Sequence, residues 1–302
     1  VLKQFNTNLK LRMSNTMIKG EYYSSVLQSQ LREAFVGKYI ADTKFEGNFN
    51  KVDTVHFPRQ AKITLSDLAS SYDEVPQQDI TQSDETFTPV TRKAFSVRVS
   101  EEDYKISAVS PDSQVIQDST EAFASAYDDS IMGQYTNAGL TFTDGDMSTA
   151  TNGGSTNSVI LTKSNIYDFL TGIAMKMDQA NLPDSNRWVV LDPKRKRMLL
   201  NAPELVRSTE MGDKVVTGGT VGMVDNIKIY WSNNLVLATS RWGLAGQGKP
   251  ICFAAITKPQ ITFVGHETQA NNWNNSMKAV SRFGSKVFTE GAERLMSLKI
   301  SD

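Results

Sequence analysis

Ser110-Pro111-Asp112-Ser113-Gln114-Val115-Ile116-Gln117-Asp118-Ser119-Thr120-Glu121-Ala122-Phe123-Ala124-Ser125-Ala126-Tyr127-Asp128-Asp129-Ser130-Ile131-Met132-Gly133-Gln134-Tyr135 is the stretch from which the rest of the chain is read. Ser110 can cap a helix, Pro111 suits the first helical position, and Asp112 favours the positive end of the helix dipole. Ile116, Phe123, Tyr127, Ile131 and Tyr135 then mark one face, and the helix closes near Gly139. At 1.5 Å per residue, 111–135 spans about 37 Å, the width of a small domain. A rod of that length is a strut for other elements.

Upstream of the strut lie two strand-like runs. Val52, Thr54 and His56 alternate with Val55 and Phe57 up to Pro58, and Phe95, Val97 and Val99 alternate with Ser96, Arg98 and Ser100. Between them Leu65 to Glu85 is polar and acidic, too rich in Ser, Asp and Gln for a core of its own. The simplest object is a long two-stranded arm with a mobile tip. Such a hairpin is marginal in water unless something covers it. Further upstream, Leu27, Leu31 and Phe35 predict a helix over Ser24 to Ile40, weakened near its end by Gly37.

Downstream, 141–158 is a Gly, Ser, Thr and Asn-rich loop whose Asp144-Gly145-Asp146 lacks the further ligands of a calcium loop. A compact α/β region follows. Ser164 can cap a helix carrying Ile166, Phe169, Leu170, Ile173 and Met177; Trp188 to Leu191 reads as a buried strand; Asp192-Pro193 restarts a helix through Leu200; and Ile227 to Trp231 is another strand. Ile251 to Ile256, Ile261 to Val264, Ser276 to Phe283, Lys286 to Phe288 and Glu293 to Ile300 make a β-rich tail.

The 302 residues allow two compact domains or one elaborated domain. Lys and Arg number 32 against 33 Asp and Glu, a net charge of -1 that argues against a globally basic nucleic-acid binder. The charge comes in blocks. Residues 1–44 carry seven basic and three acidic side chains, whereas 63–91 and 106–162 carry six and seven acidic ones and no Lys or Arg. Chance surface variation is one explanation; the sharper one is that basic and acidic blocks meet on neighbouring copies of the chain. No apolar run approaches the roughly 18 residues of a membrane helix, and residues 1–11 lack a signal-peptide core. The expectation is a soluble protein of a reducing compartment, its missing initiator Met reflecting trimming or a maturation cleavage.

Catalytic chemistry has little to draw on. Cys252 is the sole cysteine and sits in an apolar run, which excludes an intrachain disulfide and a Cys-rich zinc site. His56 and His266 are the only histidines and are far apart in sequence. Gly243-Leu244-Ala245-Gly246-Gln247-Gly248-Lys249 fits the phosphate-loop pattern until Pro250 replaces its Ser or Thr, and a strand rather than a helix follows; it reads as a loop. Gly218, Gly219 and Gly222 form a flexible turn rather than a dinucleotide site. Lys194-Arg195-Lys196-Arg197 opens a short helix and reads as a solvated or intersubunit face. No catalytic residue, cofactor or metal site is assigned.

Taken in order, the basic arm, long hairpin, strut helix, α/β region and β tail resemble the major capsid proteins of tailed bacteriophages, the Hong Kong 97 fold, an α+β class. Asn50-Lys51-Val52-Asp53-Thr54-Val55-His56-Phe57-Pro58 is similar to the outgoing strand of that family's extended loop, and Arg92-Lys93-Ala94-Phe95-Ser96-Val97-Arg98-Val99-Ser100 to its return. Glu121 to Tyr135 resembles the spine helix, Arg187-Trp188-Val189-Val190-Leu191-Asp192-Pro193 a strand-to-helix junction of the axial domain, and Ser281-Arg282-Phe283-Gly284-Ser285-Lys286-Val287-Phe288 the late peripheral strands. The resemblance implies an N-terminal arm at 1–43, an extended loop at 44–99, a peripheral domain at 100–158 and 260–302 with the spine helix at 111–136, and an axial domain at 159–259.

It further implies a structural shell protein, not an enzyme, forming hexamers and pentamers of itself around a double-stranded DNA phage genome. Its virion would assemble in the host bacterial cytoplasm. The implied partners are scaffolding, portal and decoration proteins and weak, nonspecific contact with packaged DNA, with no membrane. Lys62 and Lys93 match by location the loop lysine that some members cross-link to a neighbour's Asn, but no catalytic Glu is seen and that activity is not carried over. The expected intersubunit contacts are Asp73, Glu74, Asp79 and Asp84 on the acidic side and Arg92, Lys93, Lys3, Lys10 and Arg12 on the basic side. The alternatives are an encapsulin-type nanocompartment shell and, from a different class, a soluble α/β enzyme, which would need a pocket with convergent titratable groups.

Overall fold

The computed structural model describes residues 36–49, 52–60, 63–67, 74, 77–80, 82–100, 112–154, 156–203, 223–238, 240–257, 259–265 and 274–301. Its elements begin with α1 (Gly37–Ile40), β1 (Ala41–Asp42), a 3-10 turn at Lys44–Phe49, β2 (Val55–Gln60), β3 (Gln82–Phe87), β4 (Thr91–Ser100) and the long helix α2 (Asp112–Met132). They continue with β5 (Leu140–Phe142), α3 (Ile166–Gln179), β6 (Arg187–Leu191), α4 (Pro193–Leu200), β7 (Met223–Val224) and β8 (Ile227–Trp231). The tail holds β9 (Arg241–Gln247), β10 (Ile251–Thr257), β11 (Thr262–Val264), β12 (Asn274–Val287), α5 (Thr289–Ala292) and β13 (Leu295–Ile300).

The two large sheets are labelled peripheral and axial after the expected domains; the peripheral sheet runs β1-β10-β12-β11, with β4 also paired to β12. Met277, Ala279, Ser281 and Phe283 of β12 are buried toward α2, at the two-residue period of a strand with one covered face. The Tyr127 ring lies 4.6 Å from that of Phe283, and its hydroxyl meets Ser281 Oγ at 2.6 Å. Ser130 Oγ and Ser285 Oγ are 2.9 Å apart, and Gln134 Nε2 donates to the Ser285 carbonyl at 3.1 Å. Small polar residues on both partners thus let the strut lie close along the strand.

The axial sheet runs β5-β13-β9-β6-β8-β7. Val189 and Leu191 of β6 face Ile166, Phe169, Leu170, Ile173 and Met177 of α3 in one core, while Trp188 and Val190 join Val36, Ile40, Ile131, Met132, Leu244 and Leu295 in another. Burial on both faces is why β6 reads as an unbroken apolar run. Gly246 admits this packing: a Cβ there would stand 2.9 Å from the Trp188 ring and 3.0 Å from the Arg294 carbonyl.

The pairing departs from the expected loop in an instructive way. Val55–Gln60 pairs with Gln82–Phe87, of which 82–85 end the polar segment expected to lie between the strands, and Thr91–Ser100 pairs instead with β12 from Phe283 back to Asn274. The hairpin therefore returns at 82–87, and the Arg92-to-Ser100 run belongs to the peripheral sheet. Most of the last ten residues of the expected 44–99 loop thus pair outside the hairpin. β2 also runs through Pro58, as an edge strand tolerates.

Three strands cross between the two expected domains. β10 joins the peripheral sheet although it lies within 159–259, and β5 and β13 join the axial sheet although they lie within 100–158 and 260–302. β12 is one strand of 14 residues where two were expected. Gly284, the apparent break, stays in the strand because the chain beside it is close: a Cβ there would lie 2.8 Å from Pro89 Cα. Of the predicted Ser24–Ile40 helix, only Val36 to Ile40 lies within the described residues, with α1 at its end.

Candidate assembly surfaces

The hairpin is held at its root. Phe49, Phe87, Cys252 and Ala254 are buried together, with Phe45, Val55, Phe57, Ile256 and Phe288 against them. Phe87 meets Phe49 edge to face at 5.3 Å, and Phe57 meets Phe45 at 4.9 Å and Phe288 at 4.8 Å. Polar ties close the joint: Arg282 Nε donates to the Pro89 carbonyl at 2.9 Å and its Nη1 meets Asp53 Oδ1 at 2.8 Å, while Lys286 Nζ donates to the Thr86 carbonyl. The Thr289 hydroxyl and amide both donate to Glu85, and the hydroxyl bond above all holds that carboxyl below its ordinary pKa. Cys252, read as a buried thiol, is one: burial first, and the nearby Asp42 charge second, push its pKa up to about 12.

Beyond the root the described residues of the ribbon have little to pack on. Gln78 clasps Thr64, accepting its amide at 3.2 Å and donating to its carbonyl at 2.7 Å. Ile63, Leu65 and Ile80 are exposed there, Leu65 to 98%. Of the acidic residues expected at contacts, Glu74 and Asp79 are exposed, and Asp73 lies outside the described residues. Asp84 sits in β3, where its carboxylate meets His56 Nδ1 across the ribbon. Asp84 therefore has a partner in its own chain, and His56 is a ribbon residue.

On the basic side, Lys3, Lys10, Arg12 and Lys62 lie outside the described residues. Arg92 and Lys93 are exposed on β4, the outer strand of the peripheral sheet. In register, Arg92, Ala94, Ser96 and Arg98 stand opposite Arg282, Val280, Lys278 and Ser276, so all share the sheet face turned away from α2. A shallow groove of about 640 Å³ lies along this face, lined by Ala94, Ser96, Val264, Lys278 and Val280. Arg92, Arg98 and Lys278 have no acidic partner among the described residues. Sequence reasoning missed Arg98 and Lys278, because only the β4–β12 register brings them together.

The basic run 194–197 divides. Lys194 and Arg197 are exposed, but Arg195 is 2% exposed, with Nη1 on Asp192 Oδ2 at 2.8 Å and Nη2 donating to the Ser301 carbonyl. This corrects its reading as a solvated face: it locks the β6–α4 junction to the end of β13. The phosphate-loop look-alike is likewise a strand, β9, followed by a turn at Gly248 with φ of 69°.

Asp144 is a loop organiser: its oxygens accept the Thr151 amide and hydroxyl at 2.7 and 2.5 Å and the Asn152 and Gly154 amides at 2.7 Å each. Burial opposes its ionisation, yet these bonds prevail and hold its pKa at about 2. Among the described residues no group of three or more His, Cys, Asp and Glu side chains could hold a metal ion, and no helix is long and apolar enough to cross a membrane.

The fold as a whole is one that solved structures share. A structure from Mycobacterium phage Che8 matches with a TM-score of 0.77, covering 94% of this chain and 97% of its own at 18% identity. The chain has the Hong Kong 97 capsid fold. The capsid of the cyanophage P-SCSP1u matches at TM-score 0.69 and 16% identity over 94% of each chain. The mature capsid of bacteriophage PhiM1 matches at 0.68 and 13% identity over 93% of this chain and 92% of its own. No protein-family model and no curated protein matches the sequence. At such identities the shared Hong Kong 97 architecture is carried by pairing and packing, with few common residues.

Proposed function

We propose that this chain is a major capsid protein that assembles with copies of itself into the icosahedral shell of a tailed phage with a double-stranded DNA genome. The observation that carries the reading is the extended loop, whose Ile63, Leu65 and Ile80 stand in solvent on a ribbon rooted in an aromatic cluster. Unpartnered ribbons and apolar tips are liabilities for a free monomer, and a lattice of neighbours removes them. The fold, common to capsids of several phages, supports the same reading.

In this reading the arm is 1–43, the extended loop closes at Phe87, and the peripheral and axial units keep their expected extents except that β4 and β10 go with the peripheral sheet and β5 and β13 with the axial one. The acidic loop of one copy, through Glu74 and Asp79 and with Asp73 as a further contact, lies on the basic face formed by Arg92, Arg98 and Lys278 of the next, with Lys93 at its edge. Lys3, Lys10 and Arg12 of the arm make further intersubunit contacts. The role is structural, without a catalytic step; scaffolding, portal and decoration proteins and nonspecific DNA contact complete the assembly in the host cytoplasm.

The test is electron microscopy of particles from cells expressing the chain. Arg92→Glu with Arg98→Glu and Lys278→Glu abolishes shells while leaving the circular dichroism of the monomer unchanged. Adding Glu74→Lys and Asp79→Lys restores them in part. Normal shell yield from the triple variant removes the docking scheme, and a wild-type chain that never forms particles, with or without phage co-factors of assembly, removes the capsid reading itself.

A further inference from the structure

Asp128 is a buried acid that the shell reading does not use. Its side chain is 2% exposed, on the last turns of α2. Its two oxygens serve different segments. Oδ1 accepts the backbone amides of Val36 at 3.2 Å and Gly37 at 2.5 Å, where the N-terminal arm meets the body. Oδ2 accepts Asn234 Nδ2 at 3.2 Å and Ser232 Oγ at 3.4 Å, from the loop that follows axial strand β8. Gly37 makes the contact feasible: a Cβ there would stand 2.7 Å from Ile131 Cδ1 and 2.8 Å from Asp128 Oδ1.

No cation pairs with this carboxylate among the described residues. On the arm root the titratable groups are Lys38 and Tyr39, exposed and half-exposed, with Lys38 over the Tyr39 ring. On α2 the adjacent Asp129 is exposed; the 232–234 loop contributes none, and Tyr230 before it stacks on Tyr39. Burial pushes the Asp128 pKa up, against the pull of its four hydrogen bonds. The buried charge is thus sustained by neutral donors from two sides. Withdrawing either side leaves it under-solvated, which raises the cost of ionisation and weakens what the other side gains from it.

We propose that Asp128 is a conformational coupler through which the seating of the arm root, Val36 and Gly37, on α2 and the position of the 232–234 loop depend on each other. The inference stands apart from the shell reading and holds for the single chain. Protonation is its off-switch. Backbone amides cannot reverse their direction, so Oδ1 keeps accepting from Val36 and Gly37 while the proton settles on Oδ2. There the Ser232 hydroxyl can turn to accept it, and the Asn234 amide loses its acceptor. Because burial raises the folded-state pKa, ionised Asp128 costs stability above that pKa, and the cost is relieved as pH falls through it. Acid therefore uncouples the loop without unfolding the arm root.

The experiment is hydrogen exchange of the Val36 and Gly37 amides in the full chain at neutral pH, arranged as a double-mutant cycle. Asn234→Ala, far in sequence from those amides, speeds their exchange by about fivefold or more, the lower end of measured site-to-site couplings. In the Asp128→Asn background, which mimics the protonated form, the same change adds nothing. Ser232→Ala, which removes only the longer bond, gives a smaller shift in the same direction and covers the case in which Asn234→Ala misfolds. Unchanged arm-root exchange in both loop variants, or equal effects with and without the carboxylate, overturns the proposal.

Discussion

Replacing Phe87 with Ala should detach the extended loop while leaving the body folded. Phe87 is 2% exposed, between Phe49 and Phe288, and belongs to a cluster of four buried residues separate from the two larger cores. Truncating a buried Phe costs about 3–5 kcal/mol, including the lost ring contacts. Global stability for a chain of this class is about 5–15 kcal/mol. The small root cluster cannot absorb the loss by repacking, since its other members are an aromatic ring, a thiol and an alanine. A two-stranded ribbon without its anchor is marginal. Amides of 55–57, 59–60 and 82–87 should therefore lose protection in hydrogen exchange by about a hundredfold, since each 1.4 kcal/mol is worth tenfold. Those of β12 and β13 should stay within about threefold of wild type. Phe87→Leu, which keeps most of the volume, should cost under about 1.5 kcal/mol. Undiminished hairpin protection, or an equal loss in β13, would refute the view that the aromatic root holds the loop.

Gly284→Ala places a methyl 2.8 Å from Pro89 Cα and should destabilise by about 1–3 kcal/mol in urea melts, with Gly47→Ala, where nothing lies within 4 Å, as the neutral control. Asp144 supplies pH dependence of definite sign: its pKa is held at about 2, below the ordinary 3.8, so its stabilisation is complete above pH 3.8 and fades as pH falls toward 2. Asp144→Asn should remove that part of the acid transition, read by near-ultraviolet circular dichroism between pH 5 and about 2. Cys252, with a thiol pKa of about 12 and a buried side chain, should resist thiol reagents at pH 8 in the folded chain and react only on denaturation.

Local signals were the readable ones. The apolar face of α2, the all-buried run of β6 and the Asp192-Pro193 restart of α4 are written within a few residues, and the structure follows them, while the predicted α2 cap at Ser110 lies outside the described residues. Partner choice is not local. Gln82-Ser83-Asp84-Glu85-Thr86-Phe87 has no apolar alternation because a projecting ribbon buries neither face, and only Phe87 at its end reports the root. The alternation of β4 correctly announces a strand with one covered face, yet period alone does not say whether β2 or β12 lies alongside. Strands β10 and β13 trade sheets for the same reason. Arg195 looks like its exposed neighbours until Asp192 and Ser301 close around it, and Asp128 looks like surface acid until Gly37 arrives from 91 residues away. The charge blocks suggest where a contact surface would lie, but that Arg98 and Lys278 share one sheet face with Arg92 emerges only from register.

The central claim is that the loop of one copy is completed by the peripheral sheet of the next. Because Cys252 is buried and inert, a cysteine pair can report this directly: Asp79→Cys with Lys278→Cys, oxidised in assembled particles and resolved on a non-reducing gel. The account predicts a ladder of covalent oligomers, absent from either single variant. A product running only as monomer, its bridge closed within one chain, would contradict it.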